Sequence, residues 1–123
     1  MPFIHDNVMK KLLILVASVT VMITAQSCSV FTLADANTLQ KGMSSAEVLS
    51  IVSKGPRETL VNASKNLEVQ VFQMTIGSYK ADYIAAYKSG KLLYWGYPYE
   101  FARHNNPEIV EIGTWAVEEL KRL

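Results

Sequence analysis

The segment that decides the fold is 79–97, which reads YKADYIAAYK-SG-KLLYWGY. Two runs rich in aromatic and aliphatic residues, 79–88 and 91–97, flank the dipeptide Ser89-Gly90. A short polar dipeptide that ends in glycine, placed between two such runs, is typical of a tight β-hairpin turn. The segment therefore predicts two antiparallel strands joined by a two-residue turn.

The expected pairing across this hairpin indicates how the sheet is covered. A two-residue turn places Ala86 opposite Leu93 and Ile84 opposite Trp95. Both faces of the hairpin are then largely apolar, whereas a sheet that is exposed on one face alternates apolar and polar residues. We therefore predict that other elements cover this hairpin on both sides.

Two further strands are predicted before the hairpin, at 58–62 and 67–76, because both segments carry strong β-formers. A turn-rich break at 62–66 separates them. The sequence thus predicts an antiparallel sheet of three to four strands.

Two short helices are predicted ahead of the sheet. The first covers 34–41 and is stopped by Gly42, and the second covers 45–53. Ser44 and Glu47 have the spacing of a capping box, in which each side chain bonds a free backbone N–H at the start of the helix.

A C-terminal amphipathic helix of about 16 residues is predicted after the sheet, because Asn106-Pro107 is a favourable cap and first-turn pair. The apolar residues at helical spacing are Ile109, Ile112, Ala116, Leu120 and Leu123, with Trp115 beside them. The predicted class is α+β, with an N-terminal helical pair packed on the antiparallel sheet and the C-terminal helix as an integral layer.

The first 27 residues have the organisation of a bacterial signal peptide. Basic residues precede an apolar run at 12–25, which is too short to span a bilayer, and translation from Met9 gives the more typical beginning. The run ends at Cys28, the only cysteine, in a context that resembles a lipobox. We predict a signal peptide at 1–27, acylation of Cys28, a lipidated tether at 28–33 and one domain at 34–123. The alternative is an ordinary signal peptide followed by a lone buried cysteine.

Charge and cysteine content exclude several classes of protein. The whole chain has a formal net charge of +1, and basic and acidic residues balance from Cys28 onward, which does not indicate nucleic-acid binding. A single cysteine forms no intramolecular disulfide and no cysteine-based metal site. Because a protein of balanced charge has no electrostatic attraction to anionic lipids, membrane attachment is expected through N-terminal acyl chains.

One motif resembles a known family. Gly42, Met43, Ser44, Glu47 and Val48 match the pattern of the SmpA/OmlA (BamE-like) small outer-membrane lipoproteins. The later Gly-x-Pro element of that pattern is replaced by adjacent Gly55 and Pro56. The resemblance implies a fold like that of the β-lactamase-inhibitor proteins, a periplasm-facing location at the outer membrane, and a role in barrel assembly. The outer membrane is also favoured by Ser29, under the sorting rule known for some lipoproteins.

An aromatic run provides the candidate partner-binding residues, which are Tyr94, Trp95, Tyr97, Tyr99 and Phe101. Large side chains with polar tips dominate interface hot spots, but a small domain also needs such residues in its core. Pro98 prevents the segment 97–101 from continuing as a central strand, so we expect it to be able to project.

Catalysis is not expected. His104 is the only histidine after Cys28, and no serine or cysteine nucleophile accompanies it, so we predict no catalytic site, no metal site and no cofactor. His104 is expected to be a solvated loop residue. Asp82 is either an exposed carboxylate at a strand end or a group paired with Arg103 or Lys80.

The sequence thus favours a non-enzymatic, lipid-anchored envelope protein that binds another envelope protein, in outer-membrane protein assembly or envelope maintenance. The alternative is a periplasmic lipoprotein that binds a small ligand or peptide in a pocket under the C-terminal helix. An enzyme inhibitor is a third reading, which no residue specifically supports.

Overall fold

The computed structural model of the chain describes residues 31–52 and 54–123. The predicted signal peptide, Cys28 and the first part of the tether lie outside the described residues. The elements, in chain order, are α1 (Leu33–Thr38), α2 (Ser45–Ile51), β1 (Glu58–Asn62), a 3-10 helix (Ala63–Lys65), β2 (Leu67–Ile76), β3 (Tyr79–Lys88), β4 (Lys91–Gly96), α3 (Pro98–Ala102) and α4 (Pro107–Lys121).

The strands form one antiparallel sheet in the order β1-β2-β3-β4, so each strand pairs with its neighbour in sequence. The first three strands have the predicted bounds. Ser89 and Gly90 both have positive φ, at 52° and 79°, as a tight hairpin turn with two left-handed residues requires. The predicted α+β class and antiparallel sheet are confirmed.

A β-bulge changes the register of the β3–β4 hairpin. Pairing follows the two-residue turn only as far as Tyr87 and Leu92. Ala86 then pairs with Tyr94, so the predicted pairing of Ala86 with Leu93 is wrong. One additional residue in β4 produces this shift, because a bulge sets two residues of one strand against one of the other.

The bulge also exchanges the faces of Tyr94 and Trp95. Trp95 lies opposite Ala85, not opposite Ile84 as predicted. Trp95 therefore packs with the core on one face of the sheet, whereas Tyr94 and Leu93 pack with the core on the other.

Helices and loops cover the sheet on both faces, as predicted. The first face packs against the N-terminal part of the chain. Its buried residues are Phe31, Ala36, Leu39, Val48, Val52, Phe72, Met74, Tyr83, Ala85, Tyr87 and Leu92. The second face packs against α3 and α4. Its buried residues are Leu60, Leu67, Val69, Val71, Ile84, Ala86, Phe101, Ile109, Ile112 and Ala116.

The N-terminal helices are shorter than predicted. The first ends at Thr38, and the chain then runs to Gly42, whose φ of +94° favours glycine. The Gly42 N–H donates to the Leu92 carbonyl (2.8 Å), and the Leu92 N–H donates to the Met43 carbonyl (2.7 Å). The α1–α2 loop is thus bound to the free edge of β4.

The predicted cap of α2 is present in part. The Ser44 hydroxyl accepts a hydrogen bond from the Glu47 N–H at 3.2 Å. The Glu47 carboxylate accepts from the Ser44 hydroxyl (3.3 Å), where a full capping box would have it accept from the Ser44 N–H.

The chain after Pro98 does not project. It forms the one-turn helix α3, whose Phe101 is fully buried against α4. At the end of the chain, Leu120 is half-buried but Leu123 is 74% exposed, because α4 ends at Lys121. Leu123 therefore does not belong to the buried stripe. Among the described helices, none has the length and hydropathy of a transmembrane span.

Candidate functional site

The five aromatic candidates do not form one surface. Trp95 and Tyr97 pack beside the core of the first face, whereas Tyr94 and Phe101 belong to the second. Tyr99 is the most exposed of the five, at 57%. The bulge in β4 and the turn of α3 cause this separation.

Trp95 and Tyr97 use their polar atoms within the domain. The Trp95 indole N–H donates to the Ala36 carbonyl (2.9 Å), which ties β4 to α1. The Tyr97 hydroxyl lies 3.0 Å from the Met74 sulfur, and its ring meets Tyr83 edge-on at 5.0 Å between centroids. Both side chains therefore contribute to tertiary structure, with only part of their surface free.

Tyr94 and Phe101 hold α3 against the sheet. Their rings meet edge to face with centroids 4.8 Å apart, and the Tyr94 ring also contacts the His104 ring edge-on at 4.6 Å. Burial and the Glu100 carboxylate both raise the pKa of the Tyr94 hydroxyl. Phe101 is fully buried, so it positions its neighbours and presents no surface of its own.

Tyr99 and Arg103 form an exposed pair on α3 and its C-terminal end. The Tyr99 ring stacks on the Tyr97 ring, with centroids 5.7 Å apart and planes 8° from parallel. The Arg103 guanidinium lies over the Tyr99 ring, 5.7 Å from its centroid. A tyrosine that contacts both a second ring and a guanidinium has a restricted orientation before any partner arrives.

These residues line a shallow depression of about 310 Å³, which we call the aromatic cleft. It is lined by Tyr94, Tyr99, Glu100, Arg103, His104 and Asn105. The cleft offers an aromatic ring, a carboxylate and a guanidinium within one small surface. These groups suit contact with a partner surface that carries both polar and aromatic side chains.

His104 is part of this cleft and has a local structural role. Its Nδ1 accepts a hydrogen bond from the Asn106 N–H (2.9 Å), just ahead of α4. Asn106 in turn caps α4, since its side-chain oxygen accepts from the Glu108 N–H at 3.0 Å. The predicted solvated loop histidine is therefore half-buried and helps to form the turn between α3 and α4.

A larger depression of about 700 Å³ runs beside α4, and we call it the helix groove. Its lining is Asn62, Lys65, Leu67, Lys88, Glu108, Val110, Glu111, Ile112, Thr114, Trp115 and Glu118. The half-buried Trp115 and the buried Leu67 supply apolar surface, and the ion pair between Lys88 and Glu108 lies within it. The sequence contained one signal for this groove, the large Trp115 beside the buried stripe.

Asp82 has a partner that the sequence did not indicate. Arg57 binds it with two hydrogen bonds, from Nε to Oδ1 (2.9 Å) and from Nη2 to Oδ2 (3.0 Å). Neither Arg103 nor Lys80 is this partner. The Asp82 hydrogen bond is the main cause that raises the pKa of Arg57. Both side chains are more than a third exposed, so this pair contributes little stability.

Within residues 31–52 and 54–123, no three histidine, cysteine, aspartate or glutamate side chains converge as a metal site requires. The acidic and basic groups of the described domain are instead distributed over its surface and around the two depressions.

No family model matches the chain, and no curated protein matches it. Among solved structures, the chain is similar to one described as an osmotically inducible lipoprotein, OsmE. The two share 23% identity over 51% of this chain and 72% of that chain, with a TM-score of 0.46. The resemblance to the SmpA/OmlA family therefore stays a prediction.

Proposed function

We propose that this chain is a non-enzymatic lipoprotein, anchored through Cys28 to the outer membrane and facing the periplasm, that binds another envelope protein. The proposed role is outer-membrane protein assembly or envelope maintenance, in line with the resemblance of the segment 42–48 to the SmpA/OmlA family. The proposal has two parts, an acyl anchor and a protein-binding surface, and each has its own support and its own test.

The anchor is supported by the order of the N-terminal segment. Basic residues, an apolar run and a small residue precede the only cysteine, Cys28. A Cys28→Ser variant should no longer incorporate labelled fatty acid and should remain uncleaved or become soluble. Normal fatty-acid labelling of this variant would contradict the anchor.

The binding surface is supported by one observation above all, the exposed Tyr99–Arg103 pair at the aromatic cleft. Tyrosine and arginine are over-represented among the residues that dominate binding energy at interfaces. Stacking on Tyr97 restricts the Tyr99 ring, so less conformational freedom is lost when a partner binds. The cleft thus presents an exposed tyrosine whose orientation is already restricted.

The test is affinity purification of the lipidated protein from membranes, followed by mass spectrometry. Tyr99→Ala and Arg103→Ala should each lose a reproducible envelope partner while folding normally. Leu123→Ala is the control, because Leu123 is also a large exposed side chain but lies outside the cleft. Retention of the partner by both cleft variants would show that the contact lies elsewhere.

The helix groove favours the alternative function, the binding of a small ligand or peptide. Its volume of about 700 Å³ falls within the range of ligand sites. The groove lies beside α4, but none of the five aromatic candidates at 94–101 lines it. Native mass spectrometry of the protein purified from the envelope would reveal a co-purifying molecule, and Trp115→Ala should release it. A ligand-free native protein would argue against this alternative.

A further inference from the structure

The β2–β3 hairpin extends beyond the rest of the sheet. The pairing of β1 with β2 reaches only Val71, and the pairing of β4 with β3 reaches only Ile84. Residues 73–76 and 79–82 continue to pair with each other. In the described part of the chain no other strand joins them. We call this two-stranded projection the hairpin arm.

The hairpin arm has one apolar and one polar face. Alternate residues of a strand point to opposite faces, so the four residues on each face follow from the register. The apolar face carries Met74, Ile76, Tyr79 and Ala81, and the polar face carries Gln73, Thr75, Lys80 and Asp82. At the tip of the apolar face, Ile76 is 53% exposed and Tyr79 is 79% exposed. The arm thus presents two large side chains to solvent on one side only.

The apolar face of the arm continues the sheet face against which Phe31 packs. Phe31 is 1% exposed and packs against both Phe72 and Tyr83, with ring centroids 5.3 and 5.2 Å away. Phe72 and Tyr83 pair with each other on the same face as Met74 and Ala81, two residues closer to the body of the sheet on each strand. The tip of the arm is four residues beyond Phe72, or about 13 Å along the strand.

Phe31 also fixes how far the domain can lie from an acylated Cys28. Two residues lie between the two positions, so the span is three residue steps, and a fully extended chain covers at most about 3.6 Å per step, which gives roughly 11 Å. The predicted tether therefore has almost no free length, because Phe31 is already part of the core. The edge of the domain next to Phe31 must lie against the lipid headgroups.

We propose that the apolar face of the hairpin arm contacts the bilayer surface when Cys28 is acylated, with Ile76 and Tyr79 entering the headgroup region. This inference rests on the proposed lipid anchor. Tyrosine suits this depth, because its ring is apolar and its hydroxyl stays hydrated. Lys80 and Thr75 are on the opposite face of the arm and remain in water. The short connection to the anchor favours a bilayer over a protein as the occupant, since it holds this face beside the membrane.

The test uses the absence of any cysteine other than Cys28. In the lipidated protein, Tyr79→Cys supplies one free thiol on the apolar face, and Lys80→Cys supplies a matched thiol on the polar face. Each is labelled with a thiol-reactive fluorophore and reconstituted in vesicles of phosphatidylethanolamine and phosphatidylglycerol. The label at position 79 should lose most of its quenching by aqueous iodide and become quenched by acyl-chain nitroxide lipids. The label at position 80 should keep its iodide quenching.

Four other outcomes are distinguishable, and each overturns the inference. Equal iodide quenching of both labels, in protein that carries labelled fatty acid, would overturn it and leave the anchor intact. Shielding at position 79 that appears only when a membrane extract is added would assign the arm to a protein partner. Concentration-dependent shielding at position 79 in a soluble Cys28→Ser background would assign the arm to a second copy of the chain. Failure of Cys28 to incorporate fatty acid would remove the proposed anchor, and this inference with it.

Discussion

Gly113 of α4 lies directly against Phe101 of α3. A Cβ at Gly113 would be only 2.5 Å from the Phe101 Cβ and 3.2 Å from its Cγ. The absence of a side chain at this one position thus lets α4 approach α3. This contact places Phe101 in the core and fixes the turn that carries Tyr99, Arg103 and His104 into the aromatic cleft.

Gly113→Ala should destabilise the domain even though alanine favours helix. In an exposed helix the change would gain about 1 kcal/mol, whereas a forced shift of packed atoms costs about 1–3 kcal/mol. We expect a net loss of about 1 kcal/mol by urea denaturation. Gly55→Ala is the control, because a Cβ there meets nothing within 4 Å. A gain in stability for Gly113→Ala would show that α3 shifts to accommodate the added methyl group at little energetic cost.

Tyr87→Phe should cost about 1–3 kcal/mol, because it leaves a buried acceptor without its donor. The Tyr87 hydroxyl lies 2.8 Å from Oε1 of Gln70, and both side chains are buried on the first face of the sheet, on the adjacent strands β3 and β2. The double variant Gln70→Leu with Tyr87→Phe should recover much of that loss, since neither polar partner remains. A double-mutant cycle in urea measures the coupling, and additive effects of the two changes would contradict the prediction.

Ser44→Ala should cost about 1 kcal/mol through loss of the α2 cap. In a domain of this size the melting temperature should fall by roughly 4–8 °C. Ser50→Ala, in the same helix, is the control, since the Ser50 hydroxyl only donates to the Glu47 carbonyl within the turn. If Ser44→Ala left melting unchanged but abolished partner binding, Ser44 would be a recognition residue and not a cap.

The domain should lose stability at alkaline pH. Burial is the main cause that raises the pKa of Tyr83 and of Tyr87 in the folded protein. Below about pH 10 both phenols are neutral in the folded and unfolded states, so the full contribution of the two side chains to the free energy of unfolding is present there. Above that pH the unfolded chain ionises first, and the free energy of unfolding should fall. Urea denaturation at increasing pH measures this slope, which Tyr83→Phe should reduce. An unchanged slope would contradict the role of Tyr83.

Truncation after Asn106 should prevent folding. It removes Ile109, Ile112 and Ala116 from the core and exposes Phe101. Each large side chain left in water forfeits about 1.5–3 kcal/mol, which is a large fraction of the stability of a small domain. Circular dichroism and size-exclusion chromatography should show an unfolded or aggregated product. A soluble monomer that melts cooperatively would show instead that the domain folds without α4.

Local signals in the sequence were sufficient to predict the bounds of β1, β2 and β3, the N-cap of α2 at Ser44 and the N-cap of α4 at Asn106. Each of these depends on residues that are close in sequence, such as a turn dipeptide, a capping side chain or an alternating pattern. The apolar character of both hairpin faces also predicted a sheet covered on two sides.

The sequence by itself determined the α+β class, the bounds of three strands and the antiparallel hairpin that turns at Ser89-Gly90. Only the tertiary structure decided which face carries Tyr94 and which carries Trp95, because a bulge of one residue reverses the faces beyond it. It also decided that Phe101 is buried against Gly113, that Arg57 is the partner of Asp82, and that one depression forms at α3 and another beside α4. These features depend on contacts between residues far apart in sequence, whose geometry no local pattern specifies.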